Sequence, residues 1–270
     1  MMLADTLYRE PRQPGLRVIQ RRGPGRAREL TSCRLLLDAG QSARYERPGE
    51  ETVLVVQEGS GRLEAGGQRW DIARSDVFAE RATALFLPPG VEVCVTAGTT
   101  LEAIMVSTPA PGRPDATPVL VGPGEVRVVD RGKDHYRRQV HDIFVDDPYV
   151  ERLMVGETFN PPGNWSSYPP HKHDGADGEA QLEEVYHFRI EPRHGFAHQA
   201  LYTSAGEHVT HCVRHGDAVL LPYGYHPVSA PPGYRVYYLW ALAGDQRILR
   251  PYEDPQHRWI HEAQQEERVS

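Results

Sequence analysis

Histidine is missing from the first 134 residues of this 270-residue chain, although 13 follow between His135 and His261. Imidazole chemistry is thereby confined to the second half. No apolar run approaches the roughly 18 residues that a membrane span needs, and Met1 to Arg12 shows no basic stretch followed by an apolar one. A soluble, unexported, cytoplasmic protein is expected. Cysteine is scarce too: Cys33, Cys94 and Cys212 are odd in number and never form a Cys-x-x-Cys pair. That excludes a disulfide framework and a Cys-based zinc site. Lysine is limited to Lys133 and Lys172, and the formal net charge is −7. A general nucleic-acid binder, which needs a clustered positive surface, is excluded with it.

What is abundant is turn chemistry. Gly and Pro number 25 and 23, a composition poor in long helix interiors. Short apolar or alternating runs recur at Arg34 to Leu37, Thr52 to Gln57, Gly61 to Glu64, Ala84 to Leu87, Val91 to Thr96 and Leu101 to Val106. They resume at Val126 to Val129, Arg152 to Thr158, Glu184 to Ile190, Gln199 to Thr203, Ala218 to Leu221 and Arg235 to Ala241. This is the spacing of an all-β sandwich or barrel, with helix expected only near the termini. The Pro-rich segment 108–124 reads as a stiff linker between residues 1–107 and 125–270. A weak duplication joins the halves: Glu50-Glu51-Thr-Val overlays Glu183-Glu184-Val-Tyr at an offset of 133, and Leu87-Pro88-Pro89-Gly90 overlays Leu221-Pro222-Tyr223-Gly224 at 134. Two related barrels are expected, with His226 in the second standing near the position of Glu92 or Val93 in the first.

His171-Lys172-His173 places two imidazoles on one side of an extended segment and Lys172 on the other. Downstream, a carboxylate (Glu183 or Glu184) opens the strand Val-Tyr-His-Phe, and His226 follows the turn Leu-Pro-Tyr-Gly-Tyr. Three histidines and one carboxylate suit one divalent metal such as Zn, Mn, Fe or Ni, with positions left for water or substrate.

These residues resemble the cupin superfamily, whose second motif is approximated by Gly216-x5-Pro222-x-Gly224-x-His226 and whose first is approximated around His171 and His173. The resemblance implies a bicupin of two double-stranded β-helix (jelly-roll) barrels, only the second with metal ligands. It also selects Glu184, because cupin ligand glutamates directly precede the aliphatic and aromatic strand. Longer strings, including Glu151 to Asp174, Glu183-Glu-Val-Tyr, Gln199-Ala-Leu-Tyr-Thr, Gly224-Tyr-His-Pro-Val and Gly233-Tyr-Arg-Val-Tyr-Tyr-Leu, look like the 5-deoxy-glucuronate isomerases of myo-inositol breakdown. That likeness implies a homo-oligomeric aldose-ketose isomerase acting on a small anionic sugar acid.

For proton transfer the candidates are Tyr186, Glu183 and Tyr238, with Lys172 and Tyr223 behind them; alternation points Tyr186 the same way as Glu184. For the substrate the candidates are Arg189, Arg235 and Gln199, an arginine fork matching a carboxylate bidentately. The isomerase of pectin-derived uronates, a cupin dioxygenase or decarboxylase, and a non-catalytic sugar-binding cupin are the competing readings.

Overall fold

The computed structural model describes residues 1–260. The all-β expectation holds: helical turns within elements are the short 3-10 segments Leu3–Asp5, Asp134–Tyr136 and Pro255–His257. Of the helices expected near the termini, the first is the Leu3–Asp5 turn; near the other end Trp259 and Ile260 are helical, and residues 261–270 lie outside the described residues. No helix among the described residues is long and apolar enough to cross a membrane, and all three cysteines are free.

Two large antiparallel sheets organise the chain. In the first, Ala84–Leu87, Glu50–Ala65, Leu101–Pro109, Thr31–Leu37 and Gly15–Gln20 lie side by side. In the second, Ala218–Leu221, Leu182–Glu191, Arg235–Gly244, Met154–Asn160 and Arg138–Phe144 follow the same order, with Arg127–Arg131 at the far edge. Each curls over its own apolar interior, built on Leu35, Leu54, Leu63 and Met105 in the first half and on Phe188, Ile190, Leu201 and Val236 in the second. A third core, with Val53, Phe86, Phe144, Val185 and Tyr237, lies where the sheets pack on each other. Alternate residues of one strand therefore serve different cores: Glu184, Tyr186 and Phe188 face the second barrel's interior, while Val185 faces the other barrel. Burial on both faces explains why Val53-Leu54-Val55-Val56 is an unbroken apolar run.

The runs Thr52 to Gln57 and Gly61 to Glu64 are one bent strand, Glu50–Ala65, whose first part pairs with Leu101–Pro109 and whose second pairs with Gln68–Arg74 and Val93–Ala97. Gly59 makes the bend possible. Its φ is +103°, and a Cβ there would lie 2.2 Å from the Thr100 carbonyl oxygen.

Three expectations about the halves are corrected. The segment 108–124, expected as a stiff linker, also carries a strand, Val119–Val121, which pairs with Ala84–Leu87 at the edge of the first sheet. Proline blocks pairing only where an amide must donate, and Val119-Leu120-Val121 contains none. Residues 1–107 are not self-contained either: Leu7–Tyr8 pairs with Ala218–Leu221 in the second sheet, and Leu3 is buried in the second barrel's core. Finally, the repeat is out of register at its first segment. Thr52 pairs with Leu87 as Glu184 pairs with Leu221, so Thr52, not Glu51, occupies the place of Glu184. A slip of one residue reverses every side chain. In the first barrel this position is filled by neutral hydroxyls, Thr52 Oγ1 lying 2.9 Å from Ser107 Oγ, itself 2.8 Å from Tyr45 Oη. Glu92 is exposed and paired with Arg44.

Candidate metal centre and adjoining cavity

The short strand His171–Lys172 pairs with Tyr252–Glu253 and delivers the His-x-His segment to the mouth of the second barrel. Alternation holds: Lys172 turns away, and its Nζ lies 2.6 Å from both Asp174 and Glu179 and 2.9 Å from Asp177. This ammonium staples the insert between His173 and Glu184. The rings of His171 and His173 each lie 4.9 Å, centroid to centroid, from that of His226. Glu184 Oε2 is 3.0 Å from His173 Nε2 and 3.5 Å from His226 Nε2. Potential ligand atoms of His173, Glu184 and His226 all fall within 4.8 Å of one another. His171 stands outside that trio, against the ring of His226.

Every imidazole is held from behind. Nδ1 of His171, His173 and His226 faces the backbone carbonyl of Pro169 (3.3 Å), Leu182 (3.0 Å) and Gly224 (3.0 Å) respectively. A carbonyl only accepts, so each Nδ1 carries a proton and a neutral ring turns its Nε2 lone pair toward the centre, the arrangement that orients metal-binding histidine. His226 Nε2 is buried with no hydrogen-bond partner among the described residues. Such an orphan is costly unless something accepts its lone pair. Burial holds His226 far below the ordinary imidazole range and pushes His171 down to about 3, with neighbouring imidazoles adding to both and Arg138 to the second. Burial raises Glu184; for His173 burial is the largest single influence and lowers it, but the hydrogen bond and charge of Glu184 together with the Leu182 carbonyl raise it overall. A bound cation would take the place of any proton held between the two. Charge, tautomer and the orphaned nitrogen all fit a divalent cation.

A cavity of about 340 Å³ opens beside this cluster, lined by His171, His173, Glu184, Tyr186 and Tyr238, with Arg131 and Arg138 also in its lining. The two phenol rings lie 4.3 Å apart, and Ser167 Oγ is 2.9 Å from Tyr186 Oη and 3.5 Å from Tyr238 Oη. Burial raises both phenols, Tyr186 well above 10, so both are neutral donors.

Other expected site residues lie elsewhere. Glu183 points to the opposite face, where its carboxylate accepts from the backbone amides of Arg28, Glu29 and Leu30; it is no base for this cavity. Arg189, also on that face, is paired with Glu102 at 2.6 Å. Arg235 is paired with Glu191 and stacked over Phe78, its guanidinium carbon 4.8 Å from the ring centre. Tyr223 Oη donates to Glu207 at 2.9 Å. Gln199 is adjacent rather than exposed to substrate: its Nε2 donates to the His226 carbonyl at 2.7 Å and so supports a ligand. The sequence reading missed Arg131, Arg138 and Ser167.

A family model described as the KduI/IolB family matches residues 7–260. The 5-deoxy-glucuronate isomerase of Geobacillus kaustophilus is 40% identical over 236 residues, covering 84% of each chain. That of Halalkalibacterium halodurans is 43% identical over 237 residues, covering 84% of this chain and 86% of the relative. Among solved structures, an IolB-like protein from Salmonella typhimurium superposes with a TM-score of 0.88 at 33% identity, covering 95% of this chain and 99% of that one. The Lactobacillus farciminis oxalate decarboxylase reaches a TM-score of 0.67 at 13% identity over 97% of this chain and 89% of its own, which shows a shared fold alone. With a family match spanning nearly the whole chain and relatives of this identity, the chain belongs to the KduI/IolB family.

Proposed function

We propose that the chain is a metal-dependent aldose-ketose isomerase that converts 5-deoxy-D-glucuronate to 5-dehydro-2-deoxy-D-gluconate in myo-inositol degradation. The carrying observation is the trio His173, Glu184 and His226 beside a cavity that His173 and Glu184 line together with two buried phenols, in a family whose similar members bear the isomerase name. The reaction moves hydrogen between adjacent carbons without net oxidation, so no redox cofactor is required. His173, Glu184 and His226, with His171 beside them, would hold a divalent ion such as Zn, Mn, Fe or Ni, which supplies polarisation of the aldehyde and stabilisation of the negative charge that develops next to it.

The chain's own residues orient the site and supply a proton donor. Nδ1 bonds to backbone carbonyls hold the imidazoles in one tautomer, so no reorganisation is needed on substrate entry. Tyr186 stays protonated across the physiological range and can donate its phenolic proton to a substrate oxygen. Ser167, whose Oγ lies 2.9 Å from Tyr186 Oη, fixes the position of that hydroxyl. Tyr238, stacked beside it, keeps this side of the cavity apolar up to its hydroxyl. The enzyme acts in the cytoplasm as a homo-oligomer in this reading, which size-exclusion chromatography and fractionation would check.

The test is metal-replete protein incubated with 5-deoxy-D-glucuronate. Product of unchanged mass, formed without oxygen uptake or carbon dioxide release, is the expected result. Carbon dioxide or oxygen stoichiometry would assign a decarboxylase or oxygenase instead, and turnover restricted to pectin-derived uronates would assign the related isomerase.

A further inference from the structure

Arg131 and Arg138 are directly opposite one another in the antiparallel pair formed by Arg127–Arg131 and Arg138–Phe144, and both line the cavity. Like charges at such positions repel. The buried arginines Arg34, Arg74 and Arg189 are each matched with a carboxylate, Glu102, Glu157 and Glu102 respectively, but among the described residues neither Arg131 nor Arg138 forms an ion pair. Asp142, in the same cavity wall, is engaged by Arg127 at 2.6 Å.

Arg138 is also fixed in place. Its Nη1 donates to the main-chain carbonyls of Tyr136 and Tyr168, both at 3.1 Å. That leaves Nε and Nη2 without a hydrogen-bond partner among the described residues. Burial lowers its pKa, only partly offset by the nearby tyrosines. An anion would relieve both the repulsion and the desolvation, and a planar guanidinium suits a carboxylate.

We propose that Arg131 and Arg138 form the carboxylate subsite of the cavity, holding the acid end of the substrate while its aldehyde end faces His173, Glu184 and His226. Arg138 takes the carboxylate and Arg131 flanks it. The inference rests on the isomerase reading and replaces Arg189 and Arg235, whose guanidinium groups are spent elsewhere.

Two probes test it on metal-replete, full-length protein: the acid 5-deoxy-D-glucuronate against neutral 5-deoxy-D-glucose in kinetics, and glutarate in calorimetry. Arg138→Met is expected to lower the ratio of kcat/KM for acid over neutral sugar on the order of 100-fold, mainly through KM for the acid, and Arg131→Met about 10-fold. Arg138→Lys should restore part of the loss. Glutarate should bind the wild type and lose its affinity in Arg138→Met. An unchanged acid preference in Arg138→Met, or equal loss on acid and neutral sugar with glutarate binding intact, would overturn the subsite. Glutarate binding that depends on Arg138 in a wild type unable to isomerise 5-deoxy-D-glucuronate would uphold the subsite and sink the isomerase reading.

Discussion

Glu51 and Glu183 are the same residue in the two halves. Each is a buried carboxylate that accepts from three consecutive backbone amides of the other half: Glu51 from Glu151, Arg152 and Leu153 at 2.9, 2.7 and 2.6 Å, and Glu183 from Arg28, Glu29 and Leu30 at 2.7, 3.1 and 3.0 Å. The barrels clasp one another reciprocally, a symmetry in the structure that agrees with the matched sequence segments. Burial raises both carboxyls, the amide bonds opposing it.

Glu51→Gln and Glu183→Gln should therefore behave alike. Each turns an amide NH2 toward backbone N–H donors and should lower stability by about 1–3 kcal/mol, read from the denaturation midpoint. Turnover by the folded protein should stay close to wild type in both. Loss of turnover in Glu183→Gln at undiminished stability would restore it as the base.

Alternation made Glu184 and Tyr186 legible as partners because Leu182–Glu191 is a regular strand. The same rule sets Arg189 on the opposite face in a regular strand and, followed through, would have separated Glu183 from the site as well. The one-residue error in the repeat arose because Glu50-Glu51 and Glu183-Glu184 look identical as letters, while only pairing with Leu87 and Leu221 shows which glutamates correspond. Arg138 escaped because Arg138–Phe144 is polar on both faces: Arg138 and Asp142 line the cavity, while Gln139 and His141 bond to each other on the other face. Nothing local marks such a strand.

The deepest link between the barrels is Arg74 with Glu157, both side chains 0% exposed and 2.7 Å apart, with Tyr237 Oη donating to the same carboxylate at 2.7 Å. Removing one partner strands a buried charge. Glu157→Gln should cost about 3–5 kcal/mol, whereas the double replacement Arg74→Met with Glu157→Leu should recover much of that loss. Additive losses in a double-mutant cycle would show that the pair is not coupled.

His187 gives the protein an acid-sensitive core. It is buried, both ring nitrogens lack a hydrogen-bond partner among the described residues, and burial, aided by Arg34 and Arg189, pushes it down to about 3. The unfolded chain takes up this proton below about 6.5 while the folded chain does not, so the contribution to stability is complete above 6.5 and falls as pH drops toward 3. The slope approaches about 1.4 kcal/mol per pH unit inside that window. His187→Leu should flatten it, measured as the denaturation midpoint from pH 7 to 4; an unchanged slope would mean that another group governs acid unfolding.

Metal binding and proton transfer should separate by mutation. Gln199 holds the carbonyl of His226, so Gln199→Leu should weaken metal affinity about 10–100-fold while leaving all candidate ligands present, and His226→Ala should lose the metal outright. Stripping the wild type with a chelator should lower its Tm and abolish turnover together, since a cation bound only by the folded state stabilises it. Tyr186→Phe should do the reverse: full metal content and a kcat reduced about 10²–10⁴-fold, because the phenolic proton is gone but the imidazoles and Glu184 are untouched. Elemental analysis alongside kinetics reads both quantities. If Tyr186→Phe lost its metal, or Gln199→Leu kept both metal and activity, the division between a metal centre braced by the main chain and a phenol that delivers a proton would fail.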